Sequence, residues 1–240
     1  MSGSTIIVAG VISLAGSLVG LKIIWRAWTL REPAAWFIGI AMLTHSSISQ
    51  PAMIAFLSNP TVRPPLLSLS TPIAVACVFA FVWRVFRAQN RWAAVFASTA
   101  ILVMLVGTVV ILFVTNRGSP EQRLLGVIHP LGFLVATLWG GVEALLYRRR
   151  LLKRARINLS NPVVENRLLI WGSTMLAASV LAVGVAAFAA MGKHGLAMGL
   201  AFGIGINGTV GWYLGFTPPA TYCDWIEARA ARGVARGDET

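Results

Sequence analysis

The chain has 240 residues, of which 57% are hydrophobic and 12% charged, and its net charge is +12 at neutral pH. A mean hydropathy of +0.75 and a charged fraction about half the soluble average of roughly 25% exclude an ordinary water-soluble domain. The charge does not mark a nucleic-acid binder either, because the basic residues lie at the ends of apolar runs and in no soluble module.

Seven apolar runs follow one another, at about 5–25, 34–57, 64–86, 92–114, 123–147, 163–190 and 194–216. Each is long enough to cross a hydrocarbon core of about 30 Å. They predict an all-α integral membrane protein: a seven-transmembrane-helix bundle over residues 1–216, followed by a short tail over 217–240. The first run has no basic residue before it and no small-residue cleavage site after it, so it is expected to remain as a helix rather than act as a signal peptide.

Basic residues stay on the cytoplasmic side when loops are short. With the amino terminus outside, Lys22, Arg26, Arg31, Arg84, Arg87, Arg91, the run RRRLLKRAR at 148–156, Arg167, Arg229, Arg232 and Arg236 fall inside, 16 of the 20 basic residues. Only Arg63, Arg117, Arg123 and Lys193 fall outside. The expected topology is therefore amino terminus outside and carboxyl terminus cytoplasmic, with a basic inner rim facing anionic lipid head groups. Arginine outnumbers lysine 17 to 3 and alanine is abundant, a usage that points to a GC-rich bacterial genome and hence the inner membrane.

The second run carries LTHSSISQPAM at 43–53. At about 100° per residue, Ala35, Gly39, Met42, His45, Ser46, Ser49 and Met53 share one face, while Trp36, Ile40, Leu43 and Ile54 take the other. The polar face is expected to point into the bundle, because an ionisable group exposed to lipid is costly. The competing role is plain interhelical hydrogen bonding, worth about 0.6 kcal/mol per contact.

Pro51, Pro72 and Pro130 fall at similar depth in the second, third and fifth runs, and His45, Ser49, Gln50, Ser68, Ser70, Thr71 and His129 cluster near them. Prolines bend helices and free carbonyls, which is tolerated in a membrane only against protein or a cavity. An outward-opening pocket between the second, third, fifth and seventh helices is expected, with His45, Ser49, Gln50, Ser68, Thr71, His129 and Asn207 as its lining.

On the fifth run His129, Gly132, Ala136, Gly140, Glu143 and Tyr147 share a face; Glu143, near the inner end, is expected to pair with an arginine of the 148–156 run. The seventh run repeats small residues every four positions, Gly195, Gly199, Gly203, Asn207, Gly211 and Gly215, the pattern of a close helix contact. Cys77 lies within a span and Cys223 in the tail, so no disulfide joins them. The Asn-Leu-Ser acceptor at Asn158 falls on the cytoplasmic side and is discounted for glycosylation. In the tail, Thr217 is a candidate N-cap with Pro218 at the first helical position. Tyr222, Trp225 and Ile226 share one side of a short helix expected to lie on the inner membrane surface.

Retinal chemistry is excluded because the three lysines, Lys22, Lys153 and Lys193, sit at helix ends or in loops and none lies mid-helix to form the Schiff base. No zinc-protease, nucleophile-elbow or phosphate-loop motif marks an enzyme, and no internal duplication marks a transporter. The stretch GWYLGFTPPATYCDWIEAR at 211–229, through Leu214, Gly215, Phe216, Pro218 and Pro219, resembles the membrane exit of the multi-helix sensor regions of bacterial sensor histidine kinases. The chain departs from them in carrying no kinase domain, and the resemblance implies a stand-alone sensory membrane module.

Two functions remain open. One is a non-enzymatic receptor-like sensor that binds a small apolar or lipid-like ligand in the outer pocket, needs no cofactor and passes a helix shift to a cytoplasmic partner at the basic loops and tail. The other is a membrane electron carrier with His45 and His129 as axial ligands of a b-type haem.

Overall fold

The computed structural model describes residues 3–58, 65–113, 128–155 and 161–237. α1 (Gly3–Leu30) ends where Arg31 takes a left-handed φ of 54°, and the Glu32 N–H bonds back to the Ala27 carbonyl. Pro33 then opens α2 (Pro33–Thr44), where its fixed φ and missing N–H are harmless. α2 does not run on as a regular helix. It passes through a π-helical turn (His45–Ser49) into α3 (Gln50–Ser58).

The cause of that turn is Pro51, which has no N–H to return to the preceding turn and whose ring crowds the carbonyl four residues back. The ladder widens there, and the Gln50 N–H reaches the His45 carbonyl five residues away. A π-turn adds one residue to the helical path and so rotates everything after it. Ile54, expected on the lipid face, is instead 2% exposed, and Gln50 is wholly buried.

α4 (Pro65–Phe86), α5 (Arg91–Phe113), α6 (Ile128–Ala155), α7 (Pro162–Ala190) and α8 (His194–Phe216) follow. Asn161 caps α7, its side-chain oxygen accepting from the N–H groups of Val163 and Val164, with Pro162 at the first position. Gly192 turns the chain from α7 to α8 at φ 72°, a conformation that disfavours any side chain. Thr217 ends α8, its N–H and hydroxyl both donating to the Tyr213 carbonyl, and does not cap the next helix. That helix, α9 (Ala220–Gly237), begins two residues later than expected, after Pro219.

Among the described residues every element is helical, and five helices are long and apolar enough to cross a membrane: the stretches Ile6–Leu30, Arg91–Val110, Ile128–Arg154, Pro162–Ala190 and His194–Phe216. The stretch Ser70–Phe86 of α4 is a shorter apolar helix. This is the make-up of an integral membrane protein. Large apolar side chains cover its outside, among them Ile7, Val11, Leu14, Leu18, Trp25, Val95, Leu102 and Val180.

The helices close a ring. α1 packs on α2, α2 on α4, α4 on α6, α6 on α7 and α7 on α8, and α8 returns to α1, while α5 lies outside against α4 and α6. Backbones approach closely where glycines allow it. A methyl on Gly20 would sit 2.8 Å from the Leu43 nitrogen, and one on Gly141 would sit 3.1 Å from the Gly172 carbonyl. The core of one end is aromatic: Phe81 packs edge-on to Trp171, Trp212 and Phe216, and Trp171 stacks on Phe216 at 4.7 Å.

The α8 glycine stripe is only partly a contact. Nothing lies within 4 Å of a methyl on Gly195 or Gly199, and on Gly203 it would meet Leu181 at an ordinary 3.6 Å. Gly211 and Gly215 are the tight positions, against Thr174 and Trp171. A repeat of four residues on a 3.6-residue helix drifts by about 40° each step, so one stripe cannot face one neighbour along its whole length.

Candidate functional site

Within the ring lies a cavity of about 70 Å³. The start of the π-turn supplies His45, α2 supplies Ile38 and Met42, α4 supplies Val75 and Val78, α6 supplies Phe133 and Thr137, α7 supplies Thr174 and Met175, and α8 supplies Ile204 and Trp212. His45 is there because α2's buried face, through Ile38 and Met42, runs into the turn that Pro51 forces open. The imidazole stacks on Phe133 with centroids 6.3 Å apart and planes 19° apart, and its buried Nε2 has no hydrogen-bond partner.

Of the two hydroxyls at the cavity, that of Thr137 is already committed. Thr137 Oγ1 shares a 2.8 Å bond with Ser179 Oγ and also donates to the Phe133 carbonyl. The Thr174 carbonyl accepts from Asn207 Nδ2 at 2.8 Å. His45 Nε2 is thus a buried, unpaired polar atom in a mostly apolar wall, at a real energetic cost unless something fills the space.

The expected site residues do not gather around one space. Of the six whose side chains the structure describes, only His45 lines the cavity. Ser49 Oγ donates to Ser70 Oγ at 2.8 Å and ties the π-turn to α4. Gln50 is fully buried against Gly205, where any side chain on α8 would collide with its amide; neither amide atom has a partner. Asn207 serves the α7 backbone, Thr71 is half-buried on α4, and the Ser68 side chain lies outside what the structure describes. Asn158 also lies outside the described residues.

His129 is buried on α6, its Nε2 held 3.0 Å from Thr108 Oγ1 on α5, and it does not reach the cavity. The two histidines thus face different surroundings, and a space of about 70 Å³ is far below what a macrocycle needs, so the residues present do not fit a haem between them.

The prolines differ as well. Only Pro51 accompanies a break in α-helical geometry; Pro72 is buried within α4 and Pro130 is exposed on α6. Glu143 is nearly buried, and it pairs with Arg87 rather than with the 148–156 run: Arg87 Nε donates to Glu143 Oε1 at 2.9 Å. Phe133, Thr137, Thr174 and Trp212 were not legible as site residues, since each reads as an ordinary core position in its run.

At the other end of the ring, α1 and α8 are joined where Arg26 Nη1 donates to the Phe216 carbonyl and Lys22 Nζ lies 4.9 Å from the Tyr213 ring. α9 is tied to α7 through Asn166 Nδ2, which donates to the Tyr222 hydroxyl at 2.8 Å, and Tyr222 stacks on the half-exposed Trp225. No family model matches the chain, and no curated protein or solved structure matches it.

Proposed function

We propose that the chain is a non-enzymatic sensor of the receptor type, a seven-span protein of the bacterial inner membrane that binds a small ligand inside its helix ring. The amino terminus lies outside and the carboxyl terminus inside. In this reading the path from Pro33 to Ser58, kinked but unbroken, and α4 add two spans to the five long apolar helices. The observation that carries the function is His45, which lines the cavity at the start of a π-turn and whose buried Nε2 is unpaired. Such turns are strained departures that recur at functional sites.

A ligand that engages Nε2 bears on the π-turn directly. Shifting that turn toward regular α-helix rotates α3 by roughly one residue's angle, about 100°, and moves Gln50 against α8. From α8 the shift reaches α9 through the end of that helix at Phe216, where Arg26 holds the carbonyl, and through α7 at the Asn166–Tyr222 bond. α9 and the basic rim then present the change to a cytoplasmic partner. The likeness of 211–229 to the membrane exit of sensor kinases supports the same direction of signal.

The test uses the full chain with Cys77→Ala, reconstituted in lipid and labelled at Cys223 with an environment-sensitive fluorophore. A panel of small molecules is added to this protein and to its His45→Leu variant. The reading predicts compounds whose addition shifts the emission only when His45 is present. Compounds that bind with His45 dependence yet never alter the Cys223 signal contradict sensing.

A further inference from the structure

The wall of the His45 cavity is specific enough to name a ligand class. We infer that the cavity takes a short-chain hydroxyl compound, with its oxygen on His45 Nε2 and its hydrocarbon tail among the apolar side chains, and that it excludes lipid-like molecules. This rests on the reading of the cavity as the ligand site.

Size decides the first part. A cavity of about 70 Å³ is roughly half the ~150 Å³ that takes a benzene ring and well below the ~300–1,000 Å³ of sites for drug-sized ligands. It has room for about three or four heavy atoms.

Polarity decides the second. Among the described residues no charged side chain lines the cavity, so a bare ion entering it would lose its hydration with no compensating partner. A buried water requires two to four hydrogen-bond partners. Here His45 Nε2 and the Thr174 hydroxyl have no hydrogen bond among the described residues, while Thr137 Oγ1 and the Thr174 carbonyl are engaged elsewhere. So few polar groups against a wall of isoleucine, valine, methionine and aromatic side chains match a molecule with one polar group and a short apolar body. A hydroxyl suits His45 Nε2 better than a carbonyl, which only accepts, or an alkylammonium, which only donates and carries a charge, because neutral imidazole Nε2 is either a donor or an acceptor depending on tautomer and a hydroxyl answers both. Met42 and Met175 give the tail soft, adaptable contacts. Such molecules partition into a bilayer and reach the site between helices.

The experiment is thermal unfolding of the purified full chain with the straight-chain alcohols from methanol to hexanol, comparing wild type with His45→Leu and Ala178→Val. Ala178 lies on the cavity wall, and the valine adds two carbons there, filling space without touching the hydrogen bond. Alcohols lower the stability of proteins in general, so the signal is the difference between wild type and variant at equal concentration. With each protein's Tm in the absence of alcohol as its own reference, the inference predicts that ethanol or propanol shifts the wild-type Tm several degrees more favourably than that of either variant, and that hexanol shifts all three alike. Equal responses of all three proteins at every chain length overturn it. If the His45-dependent rise appears instead with hexanol, a fatty acid or a sterol, the size argument is wrong while the ligand-site reading stands. If no compound of any size gives a His45-dependent rise, both fall.

Discussion

Arg87 Nε donates to Glu143 Oε1 across 2.9 Å and joins the turn after α4 to the middle of α6, with Arg87 also lying over the Trp92 ring at 5.9 Å. The carboxylate side chain is 9% exposed and the guanidinium 25%, so removing one partner strands a nearly buried charge. Glu143→Gln or Arg87→Ala is expected to lower stability by about 1–3 kcal/mol, below the range for fully buried pairs. The double variant should lose less than the sum of the two. Thermal unfolding of the four proteins measures this; strict additivity would show that the pair does not interact.

Glycine positions separate close contacts from open ones. Gly20→Ala puts a methyl 2.8 Å from the Leu43 nitrogen and 3.1 Å from the Gly39 carbonyl, backbone atoms that cannot step aside. It should cost about 1–3 kcal/mol. Gly199→Ala meets nothing within 4 Å and should be neutral or gain up to about 1 kcal/mol from helix propensity. Equal losses in the two variants would refute the packing described for α1 and α2.

The π-turn predicts an asymmetry between two deletions in one continuous helix. Removing Ser47 together with Pro51→Ala takes out the extra residue and leaves Gln50 and Ile54 facing inward; the main loss is the 2.7 Å bond between Ser17 Oγ and Ser47 Oγ, about 1 kcal/mol. Removing Ile40 instead rotates the start of α2 by about 100° and turns Ala35 and Ile38 out of the core. The Ser47 deletion should fold with a modestly lower Tm and the Ile40 deletion should not fold. If the Ser47 deletion also failed to fold, the helix would hold no extra residue to give up.

Much of this was legible in the sequence, for physical reasons that also mark where it stops. Hydropathy located the apolar helices, five of them long enough to cross a membrane, because burial in lipid or core demands apolar side chains along each helix. Which way Ile54 points was not legible, since a face drawn at a constant 100° per residue has no place for the residue the π-turn inserts. The partner of Glu143 was not legible either: Arg87 is far away in sequence, and the nearer arginines of 148–154 lie on α6 itself. His45 stood out because an ionisable group in an apolar run has few uses. Its cavity did not, because the wall is built from one or a few ordinary core residues on each of several helices.

The proposed topology makes a simple prediction. A cysteine placed within 117–121 should react with a membrane-impermeant reagent in intact cells, and one placed within 151–155 should react only after the membrane is opened. Reversed labelling would put the amino terminus inside and invert the signalling direction.

The most direct measurement of the central claim is a high-resolution structure of the wild-type chain in lipid nanodiscs, purified from its native membrane. The account predicts non-protein density in the cavity beside Phe133, with an atom at hydrogen-bond distance, about 2.7–3.2 Å, from His45 Nε2. A collapsed cavity with Nε2 bonded to a group on a neighbouring helix would contradict it and leave His45 as an ordinary tie between helices.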